Sequence, residues 1–338
     1  MANATAAAPS DLPALNAVLA PYKEPDLGRS VWQLASTGAL FVADWGLMLL
    51  AQKSGHYWLT LLLAMPAAGL LMRLFIVQHD CGHGSFFKQN WANDLVGRVI
   101  GVVTLTPYHF WKQTHALHHS TSGNLDRRGW GDINTLTVRE YKALDESGRR
   151  NYRIYRSFPV MFIVGPVFHF LFYHRWPGIV PADWRRERES ILYTNLAAAG
   201  VLLLAHWTIG VGSLLAVQLP IIVMTTWAGV WFFYVQHQYE ETYWRSEKDW
   251  DYARACLEGS SYYDLPRILQ WFTGNIGFHH IHHLNSRVPN YNLERAMRDN
   301  PVFQRAHRLT LRSSLRCAKL ALWDEDRKRL VTFAEAGI

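Results

Sequence analysis

The sequence has few of the residues that build a disulfide framework or an iron–sulfur centre. Its 338 residues include only three cysteines, which are widely spaced and form no paired motif. We therefore expect no disulfide and no cysteine-ligated cluster, and we expect Cys81, Cys256 and Cys317 to stay reduced. The sequence also lacks a glycine fingerprint for a dinucleotide and a His-Pro-Gly-Gly haem motif. The sequence therefore contains no motif for a redox cofactor of these three kinds.

The N-terminal region lacks the basic residues with which a signal peptide begins. This region is rich in alanine, and Pro9, Pro13 and Pro21 interrupt its apolar stretch. A cleaved signal peptide has a basic region followed by an unbroken apolar segment. We therefore expect no cleaved signal.

Apolar residues are gathered into long runs. Four runs approach the ~20 residues that a helix needs to cross a bilayer, and they cover residues 31–52, 58–78, 191–209 and 213–236. Two weaker runs, 94–111 and 154–173, contain proline, histidine or basic residues, so we interpret them as re-entrant or interfacial. The 15 Trp and 15 Tyr residues suit interfacial aromatic belts. The sequence predicts an all-α, multi-pass membrane protein with four transmembrane helices in two hairpins.

The formal charge of +7 comes largely from basic residues beside the spans. Arg185, Arg186 and Arg188 precede the third span, whereas the turns at Lys53 and Gly210 carry little charge. Basic flanks mark the cytoplasmic side, so both turns should face away from it. We expect a cytoplasmic segment at 1–30, a membrane domain with a helical cytoplasmic cap at 31–290, and a helical cytoplasmic tail at 291–338.

Histidines form three clusters at helical spacing, and eight side chains share this pattern: His79 and His83; His115, His118 and His119; and His279, His282 and His283. Spacings of three and four residues place the imidazoles of each cluster on one side of a helix. Eight nitrogen donors exceed the four ligands of one zinc ion, whereas two borderline metals such as iron fit the number better. His237 follows the last span at the same predicted depth, and we expect it to be a ninth ligand.

Other histidines have simpler interpretations. His280 is one residue from His279 and should point away from the metal-facing side. His109 is a candidate donor to a ligand, while the isolated histidines are interpreted as core or interface residues: His56, His169, His174, His206 and His307. Six residues near the clusters are candidates either to hydrogen-bond the ligand imidazoles or to cap helices: Asp80, Asn124, Asp126, Asp132, Asn275 and Asn285.

These motifs resemble the membrane-bound fatty acid desaturase family over a region from about Pro21 to about Leu293. The similar segments are His-Asp-Cys-Gly-His from His79, Thr-His-Ala-Leu-His-His from Thr114, Gly-Asp-Ile-Asn-Thr-Leu-Thr from Gly131, Phe-Tyr-Val-Gln-His-Gln-Tyr-Glu from Phe233, and Gly-Asn-Ile-Gly-Phe-His-His-Ile-His-His from Gly274. The last two look most like bacterial acyl-lipid desaturases of the Δ5 and Δ12 type. Phe233 is a departure, because acyl-CoA relatives carry Asn at this position and use it for a water-bridged contact.

The resemblance implies an enzyme that introduces a double bond into the acyl chain of a glycerolipid. The eight clustered histidines and His237 would hold two iron ions, O2 would be the co-substrate, and no separate side-chain nucleophile is needed. Two of the electrons that reduce O2 to water would come from the substrate and two from an external ferredoxin, flavodoxin or cytochrome b5-type donor. The location implied is the bacterial inner membrane, with the active site on the cytoplasmic face and no nucleic acid partner.

Two alternatives remain open at this point. A related di-iron hydroxylase or ketolase would act on a carotenoid, sphingolipid or alkane, although the third histidine cluster argues against it. A metal transporter or a bis-histidine haem protein would place its ligands near the middle of the membrane or pair them across spans. The clusters flank the spans instead, which disfavours both of these classes.

Overall fold

The computed structural model describes residues 11–338, and these are mostly helical. The described α-helices are α1 (Leu12–Leu19), α2 (Leu27–Lys53), α3 (Tyr57–His83), α4 (Asn90–Val103), α5 (Tyr108–Thr121), α6 (Val138–Ala143), α7 (Glu146–Arg156), α8 (Gly165–Leu171), α9 (Arg185–Thr208), α10 (Val211–His237), α11 (Tyr252–Glu258), α12 (Arg267–Phe272), α13 (His279–Leu284), α14 (Asn290–Asp299) and α15 (Leu311–Ser314). The described strands are β1 (Leu136–Thr137), β2 (Tyr262–Asp264), β3 (Arg308–Thr310), β4 (Leu322–Asp324) and β5 (Arg329–Val331).

Of the described helices, four are long and apolar enough to cross a membrane: α2, α3, α9 and α10. This confirms the four predicted spans and the integral membrane character of the chain. Helices α3 and α10 extend beyond the predicted apolar runs, as far as His83 and His237. The first histidine cluster therefore lies on the last turns of a span, not after it, because the helix continues through the polar residues that end its apolar run.

The two helical hairpins have their short turns at the same end. Tyr57 Oη, at the start of α3, donates to the carbonyl oxygen of Ala216 near the start of α10 at 3.2 Å. Trp45 Nε1 of α2 donates to Gln218 Oε1 at 3.0 Å. The turns after Lys53 and at Gly210 therefore lie together, and the histidine-bearing ends of α3 and α10 lie at the opposite end. We call this opposite end, which carries His83 and His237, the site end.

The first weaker run forms α4, a tight turn and the start of α5, all beside the site end of α3. Gln78 Nε2 donates to the carbonyl oxygen of Thr106 at 3.1 Å, and Tyr108 Oη donates to that of Cys81 at 2.8 Å. At the other end of α4, Asn93 Oδ1 accepts from the backbone N–H of Phe87 at 2.9 Å. Both ends of α4 thus lie near residues 78–87 of the preceding chain, as an interfacial helix requires.

The second weaker run is broken. Glu146–Tyr155 and Pro159–Arg175 are bent by 53° relative to one another. Pro159 has no N–H and fixes its own φ, so the chain continues as a π-helical stretch over Pro159–Val164 before α8. Arg175 Nη1 donates to Asn195 Oδ1 of α9 at 3.1 Å, and its Nη2 donates to the carbonyl oxygen of Leu105. The segment therefore packs between α9 and the α4–α5 turn.

Segment 291–338 contains strands as well as helices. Strands β4 and β5 form an antiparallel pair, and β4 also pairs in parallel with β1. Strand β3 pairs in parallel with β2. The buried Arg156 Nη2 donates to the carbonyl oxygen of Leu320 at 2.7 Å and to Tyr234 Oη of α10 at 2.8 Å. These bonds hold the C-terminal segment against the site end.

The N-terminal helix α1 packs over the third histidine cluster. Its Leu15 and Leu19 share a buried apolar core with Phe278 and Ile281. Residues 1–10 of the predicted segment 1–30 lie outside the described residues.

Labelling of single cysteines tests the predicted sidedness. We expect Lys53→Cys and Gly212→Cys to react with a membrane-impermeant maleimide from one side, and Ser120→Cys and Arg287→Cys from the other. All four positions avoid the core, and a side chain at Gly212 meets nothing within 4 Å. The three native cysteines are buried, so the unmodified chain is the low-background control. Labelling of positions 53 and 120 from the same side would contradict this topology.

Candidate metal centre

Within residues 11–338, nine histidine side chains converge at the site end in two groups. The first group contains His79, His83, His115, His119 and His282, and the second contains His118, His237, His279 and His283. In each group, one ring nitrogen from every member lies within 4.8 Å of the others. Helices α5 and α13 contribute to both groups, whereas α3 contributes only to the first and α10 only to the second.

Ring nitrogens in the second group have the spacing of ligands around one ion. His237 Nε2 lies 3.2 Å from His118 Nε2 and 2.9 Å from His279 Nε2, and the latter lies 3.1 Å from His283 Nε2. Two nitrogens bound at ~2.1 Å and at right angles to each other would be about 3.0 Å apart. The four side chains can therefore surround a single metal ion without rearrangement.

The first group shows the same spacing. His119 Nε2 lies 3.1 Å from His115 Nε2 and 3.0 Å from His282 Nε2. The rings of His79 and His83 complete the group from α3, with centroids 4.7 Å apart. The buried His83 Nε2 has no hydrogen-bond partner in the part of the chain that the structure describes. A metal ion would give this nitrogen a partner.

Hydrogen bonds at the second ring nitrogen determine which atom faces each group. His118 Nδ1 lies 2.5 Å from Asp132 Oδ1, and His237 Nδ1 lies 3.0 Å from the carbonyl oxygen of Gly259. Both oxygens are acceptors, so a neutral ring donates through its Nδ1–H and presents a lone pair at Nε2. Two such lone pairs cannot hydrogen-bond to each other across 3.2 Å. A cation between them removes the repulsion, and the donor set therefore fits a metal.

Burial keeps the ligand rings in the form that binds metals. Desolvation, followed by neighbouring imidazoles, lowers the pKa of five rings well below the usual value for histidine: His115, His119, His279, His282 and His283. At neutral pH these rings are uncharged and each offers a lone pair.

Asp132 reaches His118 because the preceding loop approaches α5 closely at Gly131. This residue has a φ of +74°, and a Cβ there would lie 2.8 Å from the carbonyl oxygen of Thr114 and 3.1 Å from His118 Cβ. Only glycine accommodates both the backbone conformation and the contact. The Gly-Asp pair at 131–132 is therefore a unit that orients a ligand.

Asp80 orients the first cluster in a similar way. Its Oδ1 lies 3.1 Å from His79 Nδ1, and its Oδ2 accepts from the backbone N–H and the side-chain amide of Asn290 at 2.7 and 2.8 Å. The carboxylate thus connects α3 to the start of α14, just beyond the third cluster.

The other candidate supporting residues have different partners. Asn124 donates to Glu247, Asp126 accepts from the backbone N–H of Glu247, Asn275 donates to the carbonyl oxygen of Asn290, and Asn285 donates to Asn16. His109 Nε2 accepts from Arg98 Nε at 3.1 Å and contacts no ligand ring. The sequence did not predict that the carbonyl oxygen of Gly259 would accept from His237, because every residue has a main-chain oxygen whatever its type.

Helix α13 is held in register by the backbone that precedes it. The carbonyl oxygen of Gly277 accepts from the N–H of Tyr263 at 2.8 Å, and that of Ile276 accepts from Gln236 Nε2 at 2.9 Å. His280 belongs to neither histidine group and is fully buried, with its ring centroid 6.4 Å from that of Tyr262. Its side chain thus points away from the centre, as the helical spacing predicts.

A largely apolar cavity of about 520 Å³ adjoins both histidine groups. His79 and His115 of the first group and His279 of the second form part of its wall. Apolar side chains from α3, α10 and the broken segment form much of the rest, among them Leu71, Phe75, Met161, Ile222 and Val230. Ligand sites typically enclose ~300–1,000 Å³. The cavity is therefore large enough to place an apolar molecule beside both groups.

Two isolated histidines also line this cavity. The rings of His169 and His174 have centroids 4.3 Å apart, and neither belongs to a metal-binding group. His174 Nδ1 is buried without a hydrogen-bond partner in residues 11–338. These two rings, with Tyr155 and Tyr173, are the polar side chains that the broken segment contributes to the wall.

Comparison with known protein families identifies the family to which this chain belongs. A model of the fatty acid desaturase family matches residues 56–314. The chain belongs to this family. It is thus an oxidoreductase of lipid metabolism, and its histidine groups are those of a desaturase.

Relatives of this desaturase come from several groups of organisms. A fatty acid desaturase of Bacillus subtilis (strain 168) is 44% identical over 317 residues, which cover 93% of this chain and 89% of the relative. An sn-1 oleoyl-lipid 12-desaturase of Anabaena variabilis is 29% identical, with 71% of this chain and 68% of the relative covered. An sn-1 acyl-lipid omega-3 desaturase (ferredoxin) of Nostoc sp. (strain 36) is 28% identical, with coverages of 66% and 62%.

Phe233 gives the desaturase an aromatic contact at the second histidine group. Its ring centroid lies 5.0 Å from that of His118 and 5.3 Å from that of His237. A phenyl ring cannot hold water by hydrogen bonds, so this side of the group is apolar.

Neighbouring histidines in α13 provide a test of the ligand set. We expect His279→Ala to lose iron, because it removes a nitrogen that faces the second group. We expect His280→Ala to keep iron and to lose activity by only ~10 to 100-fold, as for residues behind a ligand. Elemental analysis and turnover of the purified variants measure both. Retention of metal by His279→Ala together with its loss from His280→Ala would require a different ligand set.

Asp132 provides a second test. We expect Asp132→Asn to weaken iron binding by ~10 to 100-fold, because the neutral amide no longer fixes the charge and tautomer of His118. Asp126→Asn is the matched control, since Asp126 lies in the same loop and bonds to Glu247 instead. Iron retention is measured against a competing chelator. Equal retention by the two variants would remove Asp132 from its proposed role.

Proposed function

We propose that this chain is an acyl-lipid desaturase that holds two iron ions and introduces a double bond into an acyl chain of a membrane glycerolipid. The observation that carries the proposal is the shared wall between two nitrogen-rich histidine groups and an apolar cavity. An acyl chain in this cavity would lie beside both groups, because His79, His115 and His279 are all part of the wall.

Iron suits the donor set. Five and four imidazoles make up the two groups, with no carboxylate or cysteine in either. Imidazole is a common ligand of iron, and nine donors exceed what two tetrahedral zinc sites would use. The first group would hold one iron and the second the other, and iron bound there supplies the activation of dioxygen. The carboxylates of Asp80 and Asp132 would not bind the metal. They accept hydrogen bonds from His79 and His118 and orient these two rings.

The electron balance requires an external donor. Formation of one double bond removes two hydrogen atoms, and with them two electrons, from neighbouring carbons of the chain. Reduction of O2 to two water molecules consumes four electrons, so two more must come from a carrier protein. The absence of a dinucleotide or haem motif from the sequence and the word ferredoxin in the name of the Nostoc relative support a separate carrier.

The site end is the surface on which a carrier would dock. Lys88, shortly after α3, and Arg287, shortly after α13, are exposed and close in sequence to ligand histidines. Positive side chains there would attract an acidic ferredoxin, flavodoxin or cytochrome b5-type protein by electrostatic steering. This end would face the cytoplasm of a bacterium, with residues 31–290 in the membrane domain and segments 1–30 and 291–338 on the cytoplasmic side.

The cavity supports a lipid-linked substrate that enters from the membrane. Its wall includes residues of the Pro159–Arg175 stretch, in which the carbonyl oxygen of Ile163 accepts from Trp227 Nε1 of α10 at 2.9 Å. The rings of His169 and His174 offer hydrogen bonds there to the ester group that joins the acyl chain to glycerol. The apolar walls would exclude water from the remainder of the chain.

Lipid analysis of a bacterial host without polyunsaturated lipids tests this function. We expect expression of the chain to produce glycerolipids whose acyl chains are lighter by two hydrogen atoms, and expression of His118→Ala to produce none. Mass spectrometry with localisation of the double bond is the measurement. Products heavier by one oxygen atom would instead identify a hydroxylase. No change in the lipids of a host that inserts the iron-loaded protein and is supplied with ferredoxin, flavodoxin and cytochrome b5-type carriers would exclude both activities.

A further inference from the structure

A second pocket of about 290 Å³ lies between α4, α5 and α9. It shares no lining residue with the cavity beside the histidine groups. Arg98 and Arg186 contribute charge to its wall, while Val99, Val102 and Ala197 contribute apolar surface. Glu189 adds a negative charge, so charged and apolar side chains lie side by side in the wall.

The pocket lies at the boundary between the spans and the site end. Ser190, in the second turn of α9, accepts at its Oγ from the backbone N–H of His109 at 3.0 Å. Next to the pocket, Leu95 and Val99 of α4 are 55% and 60% exposed, and Tyr193 of α9 is 67% exposed. Such exposed apolar and aromatic side chains on an interfacial helix and at the start of a span contact lipid. The pocket therefore opens toward lipid at the level of the headgroups.

Arg98 is a cation without a counter-ion. Its Nε and Nη2 lie 3.1 and 3.0 Å from His109 Nε2, and no carboxylate in residues 11–338 is within ion-pair distance of it. Burial, followed by the charge of Arg186, lowers the pKa of His109 to about 4, so the ring is a neutral acceptor. At the level of the headgroups, an exposed guanidinium attracts the anionic groups of lipids.

Carboxylates near the pocket already have partners. Asp94 pairs with Lys112 at 3.3 Å and with Arg186 at 3.0 Å. Glu189, in the pocket wall, pairs with Arg185 at 2.9 Å. The four cations around the pocket thus outnumber its two carboxylates, and Arg98 is the one of the four that no carboxylate in residues 11–338 contacts. An anion from outside the chain would have an excess of positive charge to meet here.

We propose that this pocket binds the phosphate group of a membrane phospholipid, with Arg98 as its principal contact. A guanidinium has five N–H donors in a fork that matches phosphate oxygens, and His109 leaves several of these donors unused. The apolar residues Val99, Val102 and Ala197 would pack against the first carbons of the lipid chains. Free phosphate would make no favourable contact with these apolar residues. Basic pockets between membrane helices are known to bind lipid headgroups, which favours a lipid as the source of the phosphate.

Such a lipid would join the three elements around the pocket. Helix α5 begins at this pocket and carries three of the ligand histidines further along. A bound phospholipid would connect its first turn, through Arg98 and His109, to α4 and α9. The chain would then be most stable in membranes that supply this headgroup.

Titration of detergent-purified, delipidated protein with three probes tests the ligand. We expect dioleoylphosphatidylglycerol to bind, by native mass spectrometry, and to raise the melting temperature. Dioleoylglycerol lacks the phosphate and should bind at least about tenfold more weakly, because it loses a charge-assisted hydrogen bond to Arg98. Inorganic phosphate lacks the acyl chains and should also bind at least about tenfold more weakly, because it buries no apolar surface. Equal binding of dioleoylglycerol would overturn the phosphate contact, and equal binding of inorganic phosphate would overturn the lipid as its source.

Substitutions at Arg98 test the residue. We expect Arg98→Gln to weaken phosphatidylglycerol binding by about tenfold or more and Arg98→Lys, which keeps the charge, to weaken it less. Arg267→Gln is the matched control, because Arg267 is also exposed and precedes the exposed Ile268 on α12. Iron content of each variant checks its fold independently of lipid. Affinity in Arg98→Gln equal to that of the unmodified chain, or an equal loss in Arg267→Gln, would refute the site.

Discussion

The arrangement of the site end depends on keeping nine imidazole lone pairs directed at two points. Nitrogens that face each other at about 3 Å repel unless a cation lies among them, and a hydrogen bond at the other ring nitrogen fixes the tautomer and orientation of a ring. The structure holds three of these rings from behind, with Asp80, Asp132 and the carbonyl oxygen of Gly259. Each of these acceptors belongs to a segment that other contacts fix, so the loops of the site end are part of the metal centre.

Sequence patterns were sufficient for the features that repeat along the chain. Apolar runs of span length predicted α2, α3, α9 and α10, and spacings of three and four residues predicted which histidines share a helix face. The same spacing predicted that His280 would turn away from the others. These features follow from the geometry of one helix, which is why they can be inferred without knowledge of neighbouring helices.

Features that depend on the distance between elements could not be inferred. The division of the histidines into a group of five and a group of four depends on where α3 and α10 meet α5 and α13. Strands of two or three residues are too short to show an alternating pattern, and β4 pairs with β1 from a distant part of the sequence. His237 is held by the carbonyl oxygen of Gly259, and because every residue has such an oxygen, the sequence could not indicate this contact. His109 was misplaced for a related reason, since its partner Arg98 lies on another helix.

Helices α5 and α13 each contribute side chains to both histidine groups. On α5, His115 and His119 belong to one group and His118 to the other, and α13 divides His282 from His279 and His283 in the same way. The spacing between the two groups consequently depends on the pitch and placement of this pair of helices, and both groups consist of imidazoles, whereas soluble di-iron proteins build their sites largely from carboxylates. A shift or rotation of α5 or α13 would therefore move side chains of both groups at once, so neither group can be altered through these helices without the other.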